Sequence, residues 1–504
     1  MQSGKNFIHT SKYLKNLKIT HDYSKYMYTK TFDKKDVYVT DFLRVFEDLC
    51  TASLFPSSPA MRIRYDDINF ENFFEDNKKV KENNVYDTKI NKLKNKMIIK
   101  MKEFMEKMYK PKNESALNNQ IFHNYTHYEI RDFVEEKMNA EIVTNAWIKI
   151  YDLIMGNFSI KLTPIHEMDI FRSFHMCELP GAFIAGTNHY IKTNSNMKFE
   201  WVAQSLKDKT NKNMIQDQYG MYKTHPQNYD FGATGDGNLY NQKNVEHYIT
   251  KYWDTSFNLI TSDCGESLDE NVSMKEDQMW ELHWNQFVIA VALKSDYYFS
   301  KLYSIYSTNI HKLLLIAGLF FDKVVLYRPY TTKVTSDEIY LVCSYRKKYD
   351  RTIWKTLQKL DIDSIKIPPS FMEQMYTYNK ILYYRRTINV NFYLFILGNL
   401  PYIKDVNDSP RGTRAMYNVR SIYEKTRILR NYYIYAYVYG KLFLKPIKDS
   451  QKLLPVSKKK TFERYNHDFS FEVKYLDNTK KLIDKEEKSS EKITDSDDSL
   501  SLSK

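Results

Sequence analysis

The sequence predicts an α/β protein built on a mostly parallel sheet covered by helices on both faces, with mainly helical regions before and after it. Three observations carry that expectation. Between about residues 140 and 346, short β-type runs alternate with helical patterns, the order of a parallel sheet with crossover helices. In the same stretch Trp280, Trp284, Phe287 and Val291 recur at i, i+4, i+7 and i+11, the signature of an amphipathic helix facing a core. Thirteen Gly and 13 Pro in 504 residues, about 5%, are too few for collagen-like, elastic or linker architectures.

Taken in order, residues 1–139 form a basic, mixed region with aromatic clusters such as Phe70-Glu-Asn-Phe73-Phe74. Within it the lysine-dense stretch 78–112 reads as a helix with a cationic face, either solvated or in contact with RNA. Residues 140–346 form the central domain. Its β-type runs are Phe174-His-Met-Cys177, Phe199-Glu-Trp-Val202, Phe257-Asn-Leu-Ile-Thr261, Tyr297-Tyr-Phe-Ser-Lys-Leu302, Lys323-Val-Val-Leu-Tyr327 and Glu338-Ile-Tyr-Leu-Val-Cys343. Residues 347–476 are expected to form a helical module, Tyr/Arg-rich at 372–397 and 414–444. The tail, 477–504, lacks aromatics and reads as disordered.

With 75 basic and 62 acidic residues the chain carries +13, and because the tail holds eight acids against six lysines the remainder carries +15. Such a surplus suits a partner with a phosphate backbone, with solubility or base-composition bias as the bland alternatives. The 42 Tyr and 29 Phe can supply stacking surfaces for bases, although a tyrosine more often serves half-buried packing. Cys50, Cys177, Cys264 and Cys343 are widely spaced and show no CxxC or zinc spacing. Neither a disulfide framework nor a metal site is expected from them, and a reducing compartment fits. No signal-peptide pattern opens the chain, and the longest apolar runs, 313–321 and 392–397, fall short of the ~20 residues a spanning helix needs. A soluble, cytoplasmic protein without a membrane partner is the expectation.

Ligands of open parallel sheets bind at the carboxyl ends of the strands, so the turns there matter most. No GxxxxGK[ST] occurs, and no GxGxxG comes after the first β run. That run leads instead into Cys177-Glu-Leu-Pro-Gly181-Ala-Phe-Ile-Ala-Gly186, a strand ending in an acid, then Pro-Gly, then a helix. Gly at a tight turn leaves room for a ligand across the strand end, without the extra glycines a pyrophosphate requires. A compact nucleoside such as S-adenosylmethionine fits better than a dinucleotide.

Cys177-Glu-Leu-Pro-Gly-Ala-Phe-Ile-Ala-Gly-Thr-Asn-His-Tyr190 resembles the cofactor motif of the FtsJ-like (RrmJ-type) ribose 2'-O-methyltransferases, specifically the Adrift-type cap methyltransferases and their relatives in large DNA viruses. Further similarities occur in the family's order. Thr144-Asn-Ala-Trp-Ile-Lys149-Ile-Tyr-Asp-Leu153 resembles the N-terminal helix with its first lysine, and Leu259-Ile-Thr-Ser-Asp263-Cys-Gly265 the strand with the aspartate. Tyr298-Phe-Ser-Lys301-Leu-Tyr-Ser304 resembles the strand with the second lysine, and the stretch from Lys323 through Glu338-Ile-Tyr-Leu-Val342 the closing strand, loop and glutamate. The sequence departs from the family in having Lys294-Ser-Asp-Tyr297 where Gly-Gly usually precedes the second lysine, and Ser262-Asp263-Cys264-Gly265 in place of Ala-Asp-Gly.

The resemblance implies a Rossmann-like methyltransferase sheet with an antiparallel last strand, S-adenosylmethionine as cofactor, and a catalytic tetrad of Lys149, Asp263, Lys301 and Glu338. A ribose 2'-hydroxyl is a poor nucleophile, so a base must take its proton. Lys301 serves as that base only if neutral, which calls for lowering its pKa by about 3 units through burial and a second cation, Lys149. Asp263 and Glu338 would each orient a lysine while opposing that shift. Taken singly, Lys149 reads by default as a solvated lysine and Asp263 by default as a turn or cap residue, and Glu338 could serve as an edge charge. Cofactor contacts are expected from Glu178, Pro180, Gly181 and Asp263, from Phe199 and Trp201 against the adenine, and from Asp236 in Thr234-Gly-Asp-Gly237; the last three read equally as core or turn residues.

The implied activity is 2'-O-methylation of the first or second transcribed nucleotide of capped mRNA, with other capping or transcription proteins as further partners. The alternatives are an inactive RNA-binding scaffold of a capping complex, and the same chemistry on ribosomal or transfer RNA. Low Gly with abundant Lys, Asn and Tyr suggests an A/T-rich genome, and with the viral resemblance the host cytoplasm or the virion is the expected location.

Overall fold

All six β-type runs fold as strands, and a seventh joins them from the N-terminal region. The computed structural model describes residues 60–71, 73–80, 85–108, 128–157, 169–207, 217–265, 275–329, 331–332, 336–405, 442 and 444–455. In chain order the strands are β1 (Ala60–Arg62), β2 (Ile170–Met176), β3 (Lys198–Gln204), β4 (Leu259–Ser262), β5 (Tyr297–Leu302), β6 (Phe321–Tyr327) and β7 (Ile339–Arg346). They lie in one sheet in the order β1-β6-β7-β5-β4-β2-β3. Neighbours from β3 through β2 and β4 to β5 are parallel. β7 runs antiparallel between β5 and β6, and β1 antiparallel along β6. The antiparallel last strand is as expected. β1 is an addition, three residues too short to stand out in the sequence.

The longer helices are α1 (Val85–Met108), α2 (Tyr128–Lys137), α3 (Asn145–Asn157), α4 (Ala182–Asn194), α5 (Gln242–Lys251), α6 (Trp280–Ala292), α7 (Thr308–Phe320), α8 (Ile353–Gln358) and α9 (Pro369–Asp405). Side chains alternate across the sheet, as strand geometry requires. Phe174, Ile260, Tyr298, Val324 and Leu341 join the core under α5, α6 and α7. Phe171, Leu259, Phe299, Val325 and Val342 join the core under α3 and α4. Because both faces are covered, β4 (Leu-Ile-Thr-Ser) is buried at all four residues and shows no inside–outside alternation. Phe287 and Val291 of α6 are fully buried, as their spacing predicts.

The flanking regions share that core. Ile63, Phe73 and Ile90 from before the central domain, and Leu357, Ile365, Phe371, Met372, Met375 and Leu382 from after it, belong to one buried cluster with α5–α7. The lysine-dense helix is α1: Ile90, Met97 and Phe104, one every seven residues, are buried, while Lys89, Lys92, Lys96 and Lys102 are exposed. Tyr86 of α1 meets Tyr376 of α9 with ring centroids 5.9 Å apart, and Lys89 Nζ sits 4.9 Å from the Tyr86 ring. The expectations for 414–441 and for the tail 477–504 fall outside the described residues. Among the described residues no helix is long and apolar enough to cross a membrane.

Each fully buried Leu, Ile, Phe or Met contributes roughly 1.5–3 kcal/mol. A fragment of residues 140–346 would expose the partners of at least Ile63, Phe371, Met372 and Met375. It is expected to melt well below the full chain or to aggregate, and thermal unfolding of the two proteins side by side checks this.

Candidate active site

The register of the parallel strands builds the site. Met176 of β2, Ser262 of β4 and Ser300 of β5 stand side by side, so the next residue on each strand, Cys177, Asp263 and Lys301, reaches the same carboxyl-end rim. Tyr340 of the antiparallel β7 is paired with Lys301, and Glu338 lies two residues before it. A buried helix supplies the last member. Trp147, Ile148 and Tyr151 of α3 pack on one side and Ile150, Leu153 and Ile154 on the other, which holds Lys149 over the rim.

The four expected side chains come together as two ion pairs. Lys149 Nζ is 2.5 Å from Glu338 Oε1, and Lys301 Nζ is 3.2 Å from Asp263 Oδ1. Lys301 also donates to the Asp263 backbone carbonyl at 2.9 Å, and the Tyr340 hydroxyl donates to Asp263 Oδ1 at 2.8 Å. None of the four side chains is more than 18% exposed.

Charge sets the protonation states. Burial alone would lower the Lys301 pKa, but Asp263 and Glu338 outweigh it and hold the ammonium above the ordinary lysine value. Burial would raise Glu338, and Lys149 with Lys301 outweighs that and keeps it below the usual carboxylate value. Here the structure corrects the expectation of a depressed Lys301. The charge of Lys149 is matched by Glu338, so Lys301 faces two carboxylates rather than a second cation.

A buried acid anchors the expected cofactor turn. Glu178 is 3% exposed, and its Oε1 accepts from the backbone N–H of Phe183 at 2.7 Å and of Ile184 at 3.1 Å, so the carboxylate closes the N-terminus of α4. Burial, and after it the Asp263 charge, raises its pKa well above the usual carboxylate value. Pro180 is joined to Leu179 through a cis peptide bond, and Gly181 has φ of 102°. A Cβ at Gly181 would lie 2.9 Å from Met221 Cγ, so the missing side chain there serves packing.

Gln204 at the end of β3 stitches the rim together, accepting from the Cys177 N–H at 3.0 Å and donating to the Gly237 carbonyl at 2.5 Å. Asp236 sits in that same turn. Its Oδ1 accepts from Thr234 Oγ1 at 2.6 Å, the Asn238 N–H at 2.9 Å and Asn244 Nδ2 at 2.9 Å, bonds that lower its pKa.

The two aromatics expected at the adenine lie back from the carboxyl end of β3. Phe199 is paired with Phe171 five residues back from the carboxyl end of β3, and Trp201, 6% exposed, is packed edge-on against His225 and Tyr229. Strand rise of ~3.3 Å per residue places Phe199 far from the rim. Half-buried aromatics do lie past the end of β3. Tyr222 and Phe231 are edge-on with centroids 5.4 Å apart, and Lys207 Nζ is 4.7 Å from the Phe231 ring. Their sequence context hides them, because no local period marks the residues around them. Tyr340 is legible in principle, two residues after Glu338 and therefore on the same strand face.

Cysteine pairing is a second correction. Cys177 and Cys264, 87 residues apart in sequence, form a disulfide with Cα atoms 5.0 Å apart, because β2 and β4 are adjacent and in register. Spacing along the chain could not show this. Cys343 is a buried thiol, and Cys50 lies outside the described residues. Among the described residues no group of three or more His, Cys, Asp or Glu side chains is placed to hold a metal ion.

Comparison with known proteins fits this geometry. The family model for FtsJ-like methyltransferases matches residues 142–346. An uncharacterized protein of Acanthamoeba polyphaga mimivirus is 26% identical over 60% of this chain and 38% of its own length. A probable methyltransferase of African swine fever virus is 27% identical over 42% of this chain and 51% of its own. The mouse cap-specific mRNA (nucleoside-2'-O-)-methyltransferase 2 is 29% identical over 43% of this chain and 29% of its own. The chain thus spans about half or less of the length of these relatives. A parallel rim carrying the Cys177-Glu-Leu-Pro-Gly181 turn and two lysine–carboxylate pairs, inside a segment that the family model covers, makes residues 142–346 an FtsJ-like methyltransferase domain.

Proposed function

We propose that the protein is an S-adenosylmethionine-dependent ribose 2'-O-methyltransferase acting on the first or second transcribed nucleotide of capped mRNA. One observation carries the reading: Lys149–Glu338 and Lys301–Asp263 meet beside the turn at Gly181. FtsJ-like methyltransferases depend on S-adenosylmethionine. Bound at this rim, it would supply an electrophilic methyl group on a sulfonium cation. The rim suits a cation, since the Asp263 charge adds to burial in raising the cost of charging Glu178. The relatives named for cap methylation and for viral methyltransferase activity support the substrate class, as does the basic surplus of the chain.

In this reading Asp263 and Glu338 fix the two amines, and Lys301 hydrogen-bonds the 2'-hydroxyl and accepts its proton as the oxygen attacks. Lys149 neutralises Glu338 and steadies the ribose. Because both carboxylates keep Lys301 charged, only a small neutral fraction can act as base at neutral pH, and that fraction grows tenfold per pH unit below the pKa. The profile of kcat/KM, which reports the free enzyme, is therefore expected to keep rising through the alkaline range without a plateau near neutrality. A plateau near pH 7.5 would contradict the charge balance.

Incubation with methyl-labelled cofactor and capped RNA, then nuclease mapping, is expected to place the label on the ribose of a cap-proximal nucleotide. Label on a base, or equal labelling of uncapped RNA, contradicts the proposal. Lys301→Ala is expected to lower kcat by about 100-fold or more while leaving cofactor affinity within about threefold, the pattern of a lost acid–base group; a scaffold protein would have no turnover to lose.

A further inference from the structure

α9 lies outside residues 142–346, yet one of its faces reaches both segments that carry site residues. Met375, Asn379, Leu382, Arg386 and Val390 are buried along it at i, i+4, i+7, i+11 and i+15. Asn379 Nδ2 donates to the Ile305 carbonyl at 2.7 Å, in the segment that leaves β5 just after Lys301. Two turns further on, Arg386 Nη1 forms an ion pair with Asp337 Oδ2, and Asp337 is the residue before Glu338. Both side chains are nearly enclosed, at 7% and 11% exposure. From the other side Arg328 Nη1 donates to the Glu338 backbone carbonyl at 2.9 Å.

Adjacent carboxylates at 337 and 338 thus each have a cation from a different part of the fold, Arg386 from α9 and Lys149 from α3. We propose that Arg386 is a positioning residue of the site: through Asp337 it fixes the backbone that presents Glu338 to Lys149 and Lys301, so that a residue outside the methyltransferase domain completes its geometry. What is being positioned for rests on the function proposed above; the coupling itself does not. A buried carboxylate that loses its partner must protonate or move toward another cation. Where the Asp337 backbone shifts in response, Glu338, bonded to it in the chain, shifts too. Displacements of about 1 Å at a reacting centre can cost ~100-fold in rate.

The test uses the full chain with R386A, R386K, D337A and the double variant R386A/D337A. Lysine labelling by an amine-reactive ester, read residue by residue by mass spectrometry, needs no substrate. R386A is expected to speed labelling of Lys149 and Lys301 at least about fivefold relative to exposed Lys92, because Glu338 no longer masks them. In turnover, R386A should lower kcat by about 10-fold or more with the cofactor KM within about threefold. R386K should restore most of the loss, and the double variant should be no worse than the poorer single one, as for two residues acting as a unit.

The rise of kcat/KM should also move to lower pH in R386A, because a displaced Glu338 no longer supports the Lys301 charge; a purely structural lesion would not shift it. Should R386A fail to fold, R386Q takes its place with the same readouts. Unchanged labelling of Lys149 and Lys301 in a folded R386A, or additive losses in the double variant, would overturn the proposal. A wild-type protein without methyl transfer to capped RNA, but with Lys149 unmasked by R386A, would refute the function and leave the brace standing.

Discussion

A buried ammonium group between two carboxylates organises the centre of this molecule. Lys301 is enclosed on a strand that sits deep in the sheet, where an unpaired charge would be costly. Asp263 answers it with both its side chain and its backbone carbonyl, and Glu338 adds a second negative charge. Glu338 in turn needs Lys149, which ties α3 to the start of β7, and its neighbour Asp337 needs Arg386, which ties α9 to the same stretch. Each pairing is local, but the partners come from regions as far apart in sequence as residues 149 and 386. The placement of helices outside the sheet is thereby set in part by charge neutrality at one rim.

That arrangement also bears on chemistry. The carboxylates that position Lys301 keep it charged. Geometry and proton affinity are in tension here, since the contacts that aim Lys301 stabilise its proton. A cationic ligand at the rim would shift the balance toward release of that proton, by adding a like charge to an ammonium already enclosed. The raised carboxyl of Glu178, turned into the N-terminus of α4, is part of the same acidic rim.

Much of this is legible in the sequence, and the parts that are not share a physical cause. The strands are visible because two covered faces demand continuous apolar runs, as in Phe299 and its neighbours or Leu341 to Cys343. Lys301 stands out as a charge interrupting such a run. The pairing of each lysine with its acid, the disulfide between Cys177 and Cys264, and the reach of Arg386 to Asp337 all depend on which strands and helices become neighbours, information that no local period contains. The packing of Trp201 is hidden for the same reason, since His225 and Tyr229, which meet it edge-on, come from a stretch without periodic pattern. The sign of the Lys301 shift fails for the same reason, because it turns on whether Lys149 is already neutralised.

The property most open to direct test is the charge state of that lysine. NMR titration of the protein with isotope-labelled lysine side chains, assigned by comparison with K301A, would track the Lys301 ammonium directly in the ligand-free state. The charge balance at the rim predicts that it titrates above an ordinary lysine and that D263N brings it down. A Lys301 that loses its proton near neutrality in the ligand-free protein, or one indifferent to D263N, would contradict it.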